Sequence, residues 1–210
     1  MRRTVALLAS GAAVVLATSC SGESEGQPEP APSSAGASAT TSSADASEGA
    51  SDLPHSGAPK VTNPLPESVL SGDPCDALTR DQLDEIFGEG TPTGERNDLE
   101  ETGPRCDWNY GGGGVTVGFL TVTGEGLSRT YANMEGLGET LDEPGPVQGF
   151  PSVTHQTESA SCGASVGIAD EYAISTGISL SANKEDAGTD PCEAALRVAD
   201  MVVGNLKEKA

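Results

Sequence analysis

The chain has 210 residues, of which 32 are acidic and 11 basic, for a formal net charge of −21. This acidity argues against a nucleic-acid binder, because phosphate contacts need clustered Lys and Arg, and against electrostatic docking to an anionic membrane. No apolar run reaches the roughly 18 residues of a membrane-spanning helix. The cysteine count is five, although secreted proteins prefer an even number.

The N-terminus has the pattern of a bacterial lipoprotein signal. Arg2 and Arg3 precede a short apolar stretch over residues 5–17, which is typical of a signal peptide. Small residues then lead into Cys20, so the pattern predicts removal of residues 1–19 and lipid attachment to the new terminal cysteine. Two acyl chains anchor a protein stably, so we expect a protein held at the extracytoplasmic face of the cell membrane. An ordinary secretory signal with an incidental cysteine is the alternative.

Residues 20–70 are predicted to form a disordered tether after the lipidated cysteine. Ser, Ala, Pro and Gly dominate this stretch, which holds no aromatic residue and a single cation, Lys60. Such a composition cannot bury enough apolar surface to offset chain entropy. We expect it to be a spacer, with Thr40 to Ser43 a candidate for O-glycosylation. Residues 71–210 then form one domain of ordinary size.

The first predicted element of the domain is a short helix over residues 80–87. Thr79 and Gln82 have the spacing of a capping box, in which each side chain bonds the other residue's backbone N–H. Leu78 and Leu83 occupy the positions of a hydrophobic staple.

Alternating apolar residues then predict two hairpins. The first has a strand from Cys106 to Tyr110 and a turn at residues 111–114, and alternation resumes at Val115. A later change of phase predicts a β-bulge near Gly118. The second hairpin covers residues 162–180, with a break at Ala169-Asp170-Glu171.

Two further helices and a loop complete the pattern. Helical spacing predicts a short helix near residues 128–136, and residues 140–151 are typical of a loop that leads into a strand near Val153. Asp190 and Pro191 are typical N-cap and first residues of a long C-terminal helix. We therefore expect an α+β domain, with an antiparallel sheet of about five strands and flanking helices.

Four cysteines remain after lipidation of the first: Cys75, Cys106, Cys162 and Cys192. Outside the cytosol they predict two disulfides, for which three connectivities are possible. We favour Cys75–Cys106 and Cys162–Cys192, because each pair links a helix start to a strand nearby in the chain. A four-cysteine zinc site lacks a Cys-x₂₋₄-Cys pair, and we expect no metal.

The order of these motifs resembles a known family. The matching pieces are the lipobox at Cys20, the Ser/Ala/Pro linker, Asp73-Pro74-Cys75, Arg105 to Trp108, the strand from Cys162, and Asp190-Pro191-Cys192. Together, over roughly residues 73–206, they resemble the actinobacterial lipoproteins grouped as domain of unknown function 3558. The resemblance implies secretion, lipidation and paired cysteines, and it supplies no catalytic residues.

Candidate catalytic and ligand-binding patterns are weak. The glycines at 111–114 lack the Lys and Ser/Thr of a phosphate-binding loop, and the pattern favours a hairpin turn. His155, the only histidine of residues 71–210, is expected to be structural at a strand edge, and a catalytic thiol would need such a base. Trp108 is expected to pack over a disulfide in the core, with an exposed Trp that anchors a ligand as the alternative. The acidic runs Asp98-Leu99-Glu100-Glu101 and Glu139 to Glu143 are expected to be solvated loops, with weak Ca²⁺ binding as an alternative.

The sequence therefore favours a tethered binding or interaction module over an enzyme. We expect no cofactor, a membrane contact through the lipid of Cys20, and an unidentified protein or small-molecule ligand. The alternative is a carrier of a small or lipidic molecule. A large apolar cavity would favour the carrier, and a flat exposed apolar patch would favour a protein partner.

Overall fold

The computed structural model describes residues 52–88 and 90–210. The predicted signal peptide, the lipidation site Cys20 and the predicted tether up to residue 51 lie outside the described residues. Six strands and four α-helices follow in the order α1 (Arg80–Phe87), β1 (Glu95–Leu99), β2 (Gly103–Tyr110), β3 (Gly113–Leu120), α2 (Gly126–Leu137), β4 (Ser152–Glu158), β5 (Ser161–Gly167), β6 (Ala173–Ser179), α3 (Ala182–Asp186) and α4 (Pro191–Lys207). Among the described helices, none combines the length and apolarity that crossing a bilayer requires.

The six strands form one antiparallel sheet in the order β1-β2-β3-β6-β5-β4. Two three-stranded meanders, β1 to β3 and β4 to β6, join side by side through the pair β3–β6. The expected α+β class is confirmed, with six strands where about five were expected. The additional strand is β1, all five residues of which are exposed.

Helix α4 covers one face of the sheet. Its apolar side is fully buried against the strands, through Ala195, Val198, Ala199, Val202, Val203 and Leu206. The helix starts as its sequence predicts, because the Asp190 carboxylate accepts hydrogen bonds from the N–H groups of Cys192 and Glu193 at 2.7 and 3.1 Å. Helix α1 likewise carries the predicted Thr79–Gln82 capping box.

Helix α2 serves a smaller cluster of buried residues. Leu127 packs there with Val153 and Ala173, and Leu120 is partly buried against the same cluster. Successive strand side chains point to opposite faces, so Phe119 enters the main core while Leu120 faces the α2 side. Both faces of β3 are therefore apolar at this point of the strand, which explains the change of phase in the sequence.

The bulge expected near Gly118 is wrong. The β2–β3 pairing continues without a shift from Tyr110–Gly113 to Arg105–Gly118. The irregularity of the sheet lies instead in the edge strand β4, between Gln156 and Glu158.

Residues 52–65, which we call the strap, pack on the domain although their composition predicts a disordered tether. Ala58 and Val61 are buried. The backbone N–H of Val61 donates to Asp170 Oδ1 at 2.8 Å, and that of Leu65 donates to the Ile168 carbonyl at 2.8 Å. The folded part of the chain thus starts earlier than the expected boundary at residue 71.

The four cysteines of the described residues form two disulfides. Cys75 is bonded to Cys106 and Cys162 to Cys192, each with a Cα–Cα separation of 5.0 Å. This is the pairing favoured by the nearness of each pair in the chain. The second bridge ties the first turn of α4 to the start of β5.

Candidate functional site

An open cleft lies at one end of the central strand pair β3–β6. Its volume is about 840 Å³. Five segments meet there: the end of α1, the β2–β3 turn, the end of β6, helix α3, and the first two turns of α4. The cleft thus lies between helices α1, α3 and α4 and this end of the sheet.

The floor of the cleft is apolar. It is built from core residues whose side chains come from both the sheet and α4: Val115, Ile178, Leu180 and Val198. Ile86 and Phe87, in the last turn of α1, are only partly buried and form one wall. The accessible apolar surface of the cleft therefore comes mainly from this wall, at the edge of the core.

The rim of the cleft is polar and links its two sides. Lys184 of α3 donates from its Nζ to the Ile86 carbonyl at 2.9 Å, which also satisfies a terminal carbonyl of α1. Arg197 of α4 forms an ion pair with Glu85 of α1. Both contacts involve exposed side chains, so each contributes about 1 kcal/mol or less to stability.

The β2–β3 turn supplies a second wall with little side-chain bulk. Gly111 and Gly112 have φ values of +59° and +80°, which a two-residue hairpin turn of this hand requires. The neighbouring Tyr110 is 48% exposed, and its side chain lines the cleft. Its ring gives the wall a flat apolar surface with a hydroxyl at its tip. The expected hairpin turn at these glycines is thus present and forms part of the site.

The residues singled out in the sequence lie elsewhere. His155 is on the edge strand β4 and pairs with Glu139, away from the lining of the cleft. Asp98 belongs to β1, while Glu143 accepts a hydrogen bond from the Tyr131 hydroxyl at 2.7 Å. In the described part of the chain, no group of three or more potential metal-ligating side chains comes together.

Trp108 is 1% exposed and lies in the core beside the first disulfide, as expected. A Cβ atom at Gly94 would stand 2.5 Å from Cys106 Sγ and 2.7 Å from the Trp108 indole nitrogen. The backbone before β1 therefore passes directly over this pair, which only glycine permits. Trp108 is structural in this arrangement and is not a ligand anchor.

Sequence patterns did not identify the cleft, because its lining comes from segments far apart in the chain. The β2–β3 glycines, the apolar end of α1 and the N-terminus of α4 were each visible separately. The placement of Lys184 could not be anticipated, since α3 is a five-residue helix with no buried residue. Only the strand pairing brings these pieces to one end of the sheet.

Fold and site together define a disulfide-linked α+β domain with a ligand-sized cleft at one end of its sheet. The chain belongs to the family described as protein of unknown function DUF3558, whose model matches residues 15–205. No curated protein and no solved structure matches the chain.

Proposed function

We propose that this protein is a lipid-anchored lipoprotein of an actinobacterial cell envelope, and that its extracytoplasmic domain is a binding module. The signal-like N-terminus and Cys20 support the anchor, since small residues precede a cysteine directly after a short apolar stretch. The two disulfides support an oxidising compartment outside the cytosol. The motif order shared with the family adds to both arguments.

The single observation that carries the binding role is the cleft between α1, the β2–β3 turn and α4. Ligand sites in proteins are clefts of about 300–1,000 Å³ with apolar walls and a few placed polar groups. The cleft here has about 840 Å³, an apolar floor and the polar rim of Lys184, Arg197 and Glu193. We assign the ligand site to it.

A carrier of an amphipathic molecule is the second candidate function. The observation that favours it is the partly exposed apolar wall of Ile86 and Phe87, next to the core residues of the floor. The cleft is nevertheless open to solvent and has charged groups at its rim. These features suit a module that binds its ligand reversibly as well as they suit a carrier. Transfer of a bound amphiphile between vesicles distinguishes a carrier from a module that only retains its ligand.

The anchor is tested by labelling cells with radioactive palmitate, in the wild type and in a Cys20→Ala variant. We expect label and membrane association in the wild type, and no label in the variant. Labelling that persists without Cys20, or a wild type found entirely in the soluble fraction, would contradict the anchor.

The cleft is tested with the uncharged fluorescent dye Nile red on the full chain carrying Cys20→Ala, so that no acyl group binds the dye. An added Ala194→Trp substitution places an indole in the cleft, because Ala194 lines it from α4. We expect dye affinity to fall at least about tenfold, which corresponds to about 1.4 kcal/mol. Ala132→Trp on α2 is the matched control, since Ala132 is also partly buried but lies outside the cleft. Equal affinities in the two variants would rule out the cleft as the binding site.

A further inference from the structure

The charged side chains of the cleft differ in whether the protein already uses them. The lining includes five such groups: Glu85, Lys184, Asp190, Glu193 and Arg197. Glu85 and Arg197 neutralise each other. The carboxylate of Asp190 is occupied as the N-cap of α4, where it also balances the positive end of that helix dipole.

Lys184 is the cation of the cleft that pairs with no carboxylate of the described residues. Every arginine of the described residues lies within 4.0 Å of a carboxylate, whereas Lys184 forms no ion pair with any described residue. Its contact is the neutral Ile86 carbonyl, which uses one of the three N–H donors of an ammonium group. Donors of a charged group bond most strongly to an anion, and no described residue takes the other two donors of Lys184.

The contact with Ile86 also fixes where such a ligand would lie. Lys184 reaches the last turn of α1, so its ammonium group stands beside the apolar wall of Ile86 and Phe87. An anion bound there has the apolar floor next to it. Glu193 lies on the α4 side of the same cleft and repels negative charge on the ligand, most strongly a second charge placed on that side.

We infer that the cleft binds a ligand with an apolar body and one anionic head, and that Lys184 contacts the head. This inference rests on the proposed function and specifies the ligand class of the same site. The acidity of the whole chain does not prevent it, because charges more than about 8 Å away are largely screened at physiological ionic strength. The local contact with Lys184 therefore decides the preference.

The test uses three probes with the same octyl tail and different heads, all below their micelle concentrations: octanoate, octyl glucoside and octyltrimethylammonium. Affinities are measured by calorimetry on the full chain with Cys20→Ala. We expect octanoate to bind most tightly. In Lys184→Gln its affinity should fall about tenfold, in line with the loss of a charge-assisted hydrogen bond. The affinity for octyl glucoside should change less than about twofold.

Two further variants provide a control and a change that should affect octanoate affinity in the opposite direction. Glu193→Gln removes the repelling carboxylate and should tighten octanoate binding about twofold to threefold, a change in line with an exposed charge. Lys207→Gln, in the last turn of α4 and outside the cleft, should leave all three affinities unchanged.

The outcomes separate the ligand class from the site itself. If all three probes bind equally and Lys184→Gln has no effect, the anionic class is wrong while the cleft remains the site. If octanoate binds but Ala194→Trp does not weaken it, the proposed site fails as well. If none of the octyl probes binds, the inference of an apolar body with an anionic head is overturned.

Discussion

The two ends of the central strand pair are closed in different ways. At the end where β5 turns into β6, the strap and α2 fill the space against the sheet, and backbone hydrogen bonds from Val61 and Leu65 hold the strap in place. At the other end, beyond Ser179, the space between helices and sheet stays open as the cleft. Strand β6 alone separates the two by about 20 Å, at roughly 3.3 Å per residue.

This difference indicates that the geometry of the sheet does not by itself require an open cleft at one end. The same chain uses small segments such as Ala58 to Val61 to cover apolar surface at the filled end. At the open end, Ile86 and Phe87 stay only partly buried, and apolar surface left exposed costs about 25 cal/mol for each Å². This partly exposed wall is the surface that the proposed ligand would cover.

The largest effect is expected from breaking the bridge at the open end. Replacing Cys162 and Cys192 together by Ala should lower the free energy of unfolding by about 3 kcal/mol, because the bridge closes a loop of about 30 residues in the unfolded chain. Nile red binding should weaken too, since the first turn of α4 is no longer tied to β5. Urea unfolding and dye titration measure the two effects. In the Cys75→Ala/Cys106→Ala control the stability loss should be similar with dye binding retained; weakened binding there would contradict a local role.

A pair of apolar truncations should separate stability from binding. Leu127→Ala at the filled end removes a side chain that is 3% exposed, and should cost about 3 kcal/mol with dye affinity unchanged. Phe87→Ala at the open end removes a partly buried ring, and should cost about 1 kcal/mol while dye affinity falls severalfold. Denaturant midpoints and titrations of both variants give the comparison. The reverse order of stability losses would mean that the open end is the better packed of the two.

The smallest effect concerns pH at the filled end. Burial raises the pKa of Tyr131, and the hydrogen bond to Glu143 raises that pKa further. The un-ionised phenol therefore contributes stability below its unfolded pKa of about 10, and this contribution is lost as pH rises above that value. Tyr131→Phe should be less stable than wild type by less than about 1 kcal/mol near neutral pH. Urea unfolding as a function of pH should show this difference shrinking in alkali; a constant difference would contradict the sign.

Much of the fold was predictable because its signals are local. The caps of α1 and α4 and the alternation around Val166 and Ile174 depend on residues close in sequence. Strand β1 was not predictable, since all its side chains are exposed and no apolar alternation marks it. The strap was missed because its two buried residues, Ala58 and Val61, are diluted by the Ser, Ala and Pro around them.

The candidate site was predictable only in its parts. The glycine turn and the last helix were identified from local patterns, but nothing local places Lys184 beside Ile86, which precedes it by 98 residues. Contacts between residues so far apart in the chain depend on the order of the strands in the sheet. The six-strand order, with β3 next to β6, was not contained in any single motif.

The position of the strap has a mechanical consequence. Any tension applied to the chain before residue 52 enters the domain through the strap, and it meets the hydrogen bonds of Val61 and Leu65 before any strand of the sheet. These bonds anchor to the β5–β6 turn through Asp170 and Ile168. A pull from that side would therefore act on the strap before it acts on the sheet.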